Sequence, residues 1–139
     1  MKTYYIPPTA KPVMTQQDSW PTPPPKYRGK EWPRRVVKNW RMFQNLVIAN
    51  KVHLPEDGAH VIFHIAMPPS WSKKKKEKML GQLHKQIPDV SNLLKALEDA
   101  AQACAATFYK DDSEISDIRI TKRWAQEGAI QIFDEMCFF

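Results

Sequence analysis

Between residues 34 and 50, in RRVVKNWRMFQNLVIAN, the apolar positions Val36, Val37, Trp40, Phe43, Leu46 and Val47 recur at helical spacing, which predicts an amphipathic helix with a basic flank. AHVIFHIAMPPSW, residues 59–71, is a near-continuous apolar run and reads as a buried strand stopped by Pro68 and Pro69. SKKKKEKMLG then predicts a short polar helix starting at Ser70 or Ser72 and closed by Gly81. In QIPDVSNLLKALEDAAQ, residues 86–102, a rotation of about 100° per residue places Leu93, Leu97, Ala100, Cys104 and Phe108 on one stripe. The opposite side collects Asn92, Lys95, Asp99 and Gln102 behind Asp89 and Ser91 at the helix entrance. From Glu114 to Trp124 the period changes to two, with Ile118, Ile120 and Trp124 on one face and Asp117, Arg119 and Arg123 on the other. A last strand is expected over GAIQIF, residues 128–133.

Helices and strands in this mixture predict an α+β fold, and 139 residues suffice for one compact domain with its own core. Twelve prolines are unevenly spread, the densest patch being WPTPPPKYRGKEWP at residues 20–33. Residues 1–33 are therefore expected as an extended, basic, proline-rich segment. No apolar run approaches the roughly 18 residues that a membrane span needs, and MKTYYIPPTAKPVM does not read as a secretion signal, so a cytoplasmic protein is expected. The two cysteines, Cys104 and Cys137, have no metal or redox spacing.

Charge changes this picture. Lys and Arg number 21 against 15 Asp and Glu, a formal charge of +6, which favours a polyanionic partner. Lys26, Arg28, Lys30, Arg34, Arg35, Lys38 and Arg41 form one block; Lys73, Lys74, Lys75, Lys76 and Lys78 form a second. With Trp20, Tyr27, Trp32, Trp40 and Trp71 among them, these blocks point to nucleic acid, cations meeting phosphates and aromatic faces meeting bases. His84 and Lys85 follow the second block, and His84 is expected to touch phosphate or face water.

The acids concentrate from Asp89 onward, with Asp111 and Asp112 in the polar turn KDDSEIS after the helix. Taken separately, Asp89 and Ser91 cap a helix and the later pair shapes a turn. Brought together, such carboxylates repel unless a hard cation holds them, and magnesium suits one or two carboxylates, waters and phosphate oxygens. That is the chemistry of metal-assisted phosphodiester hydrolysis. His60 and His64 would lie about 13 Å apart along a strand, too far to share a zinc ion. Neither a phosphate loop nor a nucleophile elbow is present.

MPPSWSKKKKEKMLGQLHKQIPDVSNLLKALEDA followed by DDSEISDIRITKRW resembles the RusA family of phage and prophage Holliday junction resolvases, from about Ala59 to Phe133. Asp89, Asn92, Leu93 and Lys95 match the family's helix entrance; Asp111, Asp112 and Ser113 match its later acidic pair and serine; SWSKKK and the later GQLH match the stretch before the acidic site. The resemblance implies a compact homodimer of mixed sheet and helices that binds four-way DNA junctions in a bacterial host cell and nicks them with Mg2+ or Mn2+. It places the metal at Asp89, position 91 and Asp112, with Asp111 beside them and Lys95 as the essential lysine; Asn92 and Asp99 would support, and Lys73 to Lys76, Arg28, Arg34, Arg35, His84 and Lys85 would meet DNA. Two positions depart from the pattern. Ser91 replaces the second aspartate, and Ile87 stands where a lysine often precedes the proline. A serine removes one negative charge, so either a weakened nuclease or a junction-binding protein without chemistry is expected.

Overall fold

The computed structural model describes residues 1–55, 57–102 and 117–133. Its strands are β1 (Lys2–Tyr4), β2 (Asp57–Ala66), β3 (Asp117–Ala125) and β4 (Ala129–Phe133), and its helices α1 (Arg35–Ala49), α2 (Lys73–Met79) and α3 (Val90–Gln102). The strands form one sheet in the order β1-β4-β2-β3. β4 runs antiparallel to both neighbours, whereas β2 and β3 are parallel. A parallel pair cannot be closed by a tight turn, so the intervening chain must cross over, and that crossover contains α2 and α3. The result is the α+β fold expected from the sequence.

β1 was not legible as a strand. It forms because Tyr4 pairs in register with Ile130 and Lys2 with Ile132 of β4, which delivers Tyr4 and Ile6 into the core. There they meet Val61 and Phe63 of β2, Trp40, Phe43 and Val47 of α1, and Leu93, Ala96, Leu97 and Ala100 of α3. Phe43, Phe63, Leu93 and Leu97 are almost wholly removed from water, each worth roughly 1.5–3 kcal/mol of transfer free energy. The apolar stripe of α3 thus faces the core as far as Ala100; Cys104 and Phe108 lie outside the described residues. Trp40, expected among the DNA-facing aromatics, is instead buried and stacked on Phe43 at 5.9 Å, because its position on α1 falls within the core stripe.

The proline-rich segment is tied down. Asp18 is 2% exposed and accepts from Arg34 Nε and Nη2, at 2.9 and 2.7 Å, and from the Thr15 amide at 2.8 Å. The Arg34 guanidinium holds the Asp18 carboxyl well below the usual carboxylate range, the Thr15 amide adding to it. Arg41 bonds the Asp18 carbonyl at 3.1 Å, fixing the segment to α1. Further back, a Cβ on Gly128 would sit 2.8 Å from the Cα of Pro7. The tight β3–β4 connection therefore needs glycine to let the N-terminal chain pass.

Candidate functional site

α3 begins where Leu93 N–H donates to the Asp89 carbonyl at 3.1 Å, which makes Asp89 the residue at the mouth of the helix. Asp89, Ser91, Asn92 and Lys95 are all exposed. Residues three and four apart share a helix face, so Asn92 stands beside Asp89, and Lys95 rises one turn above Ser91. Lys95 Nζ lies 3.3 Å from Asp99 Oδ1, and Lys11 Nζ lies 3.0 Å from Asp99 Oδ2. Asp99 therefore joins the candidate lysine to the N-terminal segment. Asp111, Asp112 and Ser113 lie outside the described residues.

What holds Asp89 in place comes from β3. Lys122 Nζ donates to the carbonyls of Gln86 and Pro88, both at 2.6 Å. The lysine is only 9% exposed; burial pushes its ammonium below the ordinary lysine range, and the Asp89 carboxylate opposes that shift. A buried cation is tolerated when its donors are satisfied, and here two main-chain oxygens of the loop entering α3 do so. The register aligns Lys122 with Phe63 and its neighbours Ile120 and Trp124 with Val61 and Ile65, so this lysine occupies the apolar phase of the strand. Sequence reasoning passed over it. The available signal was a lone charge among alternating buried positions.

His84 supports the same corner. It is 5% exposed, its ring lies 4.2 Å from that of Trp124, and its amide donates to the Lys122 carbonyl at 3.0 Å. Burial, and then the neighbouring Lys122 charge, lower its pKa. The expectation that His84 touches phosphate or faces water is corrected: residues 81–84 run along the outer edge of β3, which turns its ring inward. Trp124 N–H donates to Gln82 and Gly81 N–H to Trp124, both at 2.9 Å. Gly81 can take this path because its φ of 79° is left-handed, ending α2 at the point expected.

α2 presents the lysine block. Ser72 caps it, its hydroxyl accepting from the Lys75 amide at 3.2 Å. Lys73, Lys74 and Lys75 are exposed, Lys76 partly so. Lys75 Nζ sits 4.3 Å from the Trp71 ring, and Trp71 packs on Trp124 at 4.7 Å. An aromatic column thus joins the lysine helix to the strand that carries Lys122. The early basic block differs. Arg34 is engaged by Asp18, while Arg35 and Lys38 lie 3.3 and 3.2 Å from Glu31. Arg34, expected to meet DNA, has a structural role instead; Arg28 and Lys85 are exposed.

For a cation, the described residues supply hard oxygen donors: the Asp89 carboxylate, the Ser91 hydroxyl and the Asn92 amide oxygen. Among the described residues no three His, Cys, Asp or Glu side chains cluster to hold a metal ion. Magnesium takes one or two carboxylates and keeps several waters, so these donors fit it in kind.

A mixed sheet with an exposed acid at a helix mouth, an exposed lysine further along that helix and a separate lysine-rich helix suits an enzyme of phosphodiester chemistry. The family described as Endodeoxyribonuclease RusA matches residues 7–133, which includes most of the N-terminal segment as well as the candidate site. The chain is also 31% identical over 114 residues to the uncharacterized protein YqaN of Bacillus subtilis (strain 168), a match covering 75% of this chain and 78% of that protein. The chain belongs to the RusA family of Holliday junction resolvases, which are endodeoxyribonucleases.

Proposed function

We propose that this protein is a single-domain, homodimeric, metal-dependent nuclease that nicks four-way DNA junctions and whose activity is reduced by Ser91. The observation that carries the reading is the placement of Asp89: exposed at the mouth of α3, steadied from behind by Lys122, with Lys95 one turn above Ser91 on the same helix. Asp89 and Asp112 would hold Mg2+ or Mn2+, with Asp111 adjacent. The ion, when bound, supplies charge neutralisation at phosphorus and an activated water.

The chain's own residues do the rest. Lys95, released from Asp99, meets a phosphate oxygen and stabilises the charge developing there. Asp99 keeps that lysine on the solvent side of α3 until substrate arrives. Lys73 to Lys76 neutralise backbone phosphates, a contribution that carries no sequence information. Two equivalent strands in a junction call for two equivalent sites, which a C2 dimer supplies. No helix among the described residues is long and apolar enough to cross a membrane, and a cytoplasmic role in recombination or repair, in a phage or prophage setting, accords with this.

Ser91 favours a second reading, that of a junction-binding protein without chemistry, because a neutral hydroxyl is a weak ligand where an acid is expected. One assay separates the two: nicking of four-way and linear duplex DNA against Mg2+ concentration, with Asp89→Asn beside the parent. Junction-selective, metal-dependent nicking lost in Asp89→Asn supports the nuclease. Tight junction binding with no nicking at any metal concentration supports the second reading. Nicking by Asp89→Asn at the parent's rate refutes the site.

A further inference from the structure

The loop ending at Asp89 and the outer edge of β3 enclose a cleft of about 440 Å³. Its walls carry Lys85, Arg119 and Arg123, with Leu83, Val90 and Ile120 between them, and no acid lines it among the described residues. Lys122 and the buried His84 also line it, Lys122 adding a further positive charge. Arg123 Nη1 donates to the Gly81 carbonyl at 3.0 Å. That bond holds the guanidinium at the rim and leaves four of its five N–H donors over. Leu83 is 50% and Val90 38% exposed, apolar surface interleaved with cations at the point where α3 starts.

We propose that this cleft seats a sugar–phosphate backbone of the junction DNA beside the site of cutting, through Lys85, Arg119 and Arg123. The inference rests on the DNA-junction reading above and names the surface that reading leaves open. Charge is the first argument: a wall lined by Lys85, Arg119, Lys122 and Arg123 with no described acid concentrates an anion. Composition of the wall is the second. A phosphate-only site needs no exposed leucine and valine, but a deoxyribose presents an apolar edge between successive phosphates, which such side chains cover. Continuity is the third. Val90 follows Asp89 directly, and the column of Trp71, Trp124 and His84 places the α2 lysines beyond the same strand edge, so a backbone leaving the cleft passes from one basic surface to the other.

The test is the affinity of a fluorescent four-way junction measured by anisotropy in EDTA, so that no cutting intrudes, between ~50 and ~200 mM salt. Removing one phosphate contact lowers the log–log salt slope by about 1. Lys85→Gln and Arg123→Gln should each do so. Together they should shrink the affinity lost across that salt range by about tenfold, and Lys51→Gln, at an exposed lysine outside the cleft and both basic blocks, should leave the slope unchanged. Because Arg123 also bonds Gly81, a readout without substitution accompanies these: junction DNA should protect Lys85 of the parent from acetylation by an amine-reactive ester. A parent that binds while the double variant keeps its slope and Lys85 stays unprotected overturns the cleft alone. A parent that binds no junction DNA overturns the functional reading, and the cleft with it.

Discussion

Replacing Lys122 by methionine keeps the aliphatic stem and removes both hydrogen bonds to the Gln86 and Pro88 carbonyls. Charge-assisted hydrogen bonds contribute about 1.5–3 kcal/mol each when one partner is removed. Two terms reduce the net loss. Gln86 is exposed and Pro88 half-buried, so water can reach the freed oxygens, and a buried ammonium that burial already disfavours no longer has to be desolvated. A destabilisation of about 1–3 kcal/mol is expected, small enough to leave the domain folded. The effect on the site should be larger relative to its starting point. With the loop no longer tied to β3, Asp89 loses its fixed approach to a cation, and changes behind a metal ligand typically cost about 10 to 100-fold in metal affinity or activity. The assay is a urea melt beside a Mn2+ titration by calorimetry and a nicking rate against Mg2+, in the parent or, if the parent does not cut, in Ser91→Asp. Lys122→Arg, which keeps the donors, should recover part of the metal affinity. If Lys122→Met binds Mn2+ and cuts with the parent's metal midpoint while showing the expected loss of stability, the lysine is structural only and the reasoning fails.

Ser91→Asp should lower the Mg2+ concentration needed for half-maximal nicking and raise the rate, the effect being at least about tenfold if a directly bound acid has been lost; an unchanged midpoint in an efficient parent shows that another acid compensates. Replacing Lys73, Lys74, Lys75 and Lys76 by glutamine should weaken junction binding at ~50 mM salt and lower the salt slope by about 1 per phosphate contact removed; unaltered anisotropy titrations would remove α2 from the interface. Light scattering at micromolar concentration should give twice the chain mass, and a monomer with and without junction DNA would count against the symmetric mechanism. Stability should fall as pH drops below about 6.5, because burial lowers the pKa of His60 and His84: the unfolded chain then binds more protons than the folded one, so stability rises with pH through that range. Urea midpoints that are flat from pH 7.5 to 5 would contradict this.

The elements read most directly from the sequence were those whose own period decides their burial. α1 and α3 repeat at 3.6 and β3 at 2, and each packs most of the face its period indicates; Val36, expected in the α1 stripe, is instead exposed at the first turn of the helix. β1 escaped notice because three residues carry no period; its existence depends on Ile130 and Ile132 offering it an edge. The basic blocks were legible as charge but not as chemistry. Nothing local distinguishes Arg34, which meets a buried Asp18 sixteen residues away, from the freely exposed Arg28. His84 escaped for a related reason, since Gln82, Leu83 and Lys85 around it are exposed and only its pairing with the edge of β3 buries it. Asp89, Asn92 and Lys95 could be placed from the sequence as exposed positions at and after the entrance of α3, whereas their proposed roles came from the family resemblance. Lys122 needed a contact spanning 34 to 36 residues before its role could be read.

The charges around Asp89 bear on why Ser91 matters. Lys122 lies close enough to sense the carboxylate, Lys95 stands on the same exposed side of α3, and Lys85 and Arg123 line the cleft beside it. Such a setting attracts phosphate but repels a divalent cation, and opposing demands of this kind are met by acids close enough to outweigh the surrounding cations locally. With Asp at 91, two carboxylates within one turn of α3 would do this before any contribution from residues 103–116. With Ser91, Asp89 is the one described acid of the proposed site, so metal binding there would rest on Asp111 and Asp112 of that segment. DNA itself supplies the remaining negative charge, because the phosphate being cut brings anionic oxygens to the same place. Metal and DNA should therefore bind with positive coupling in this protein, and more strongly coupled than in Ser91→Asp, where the site holds its second acid without substrate.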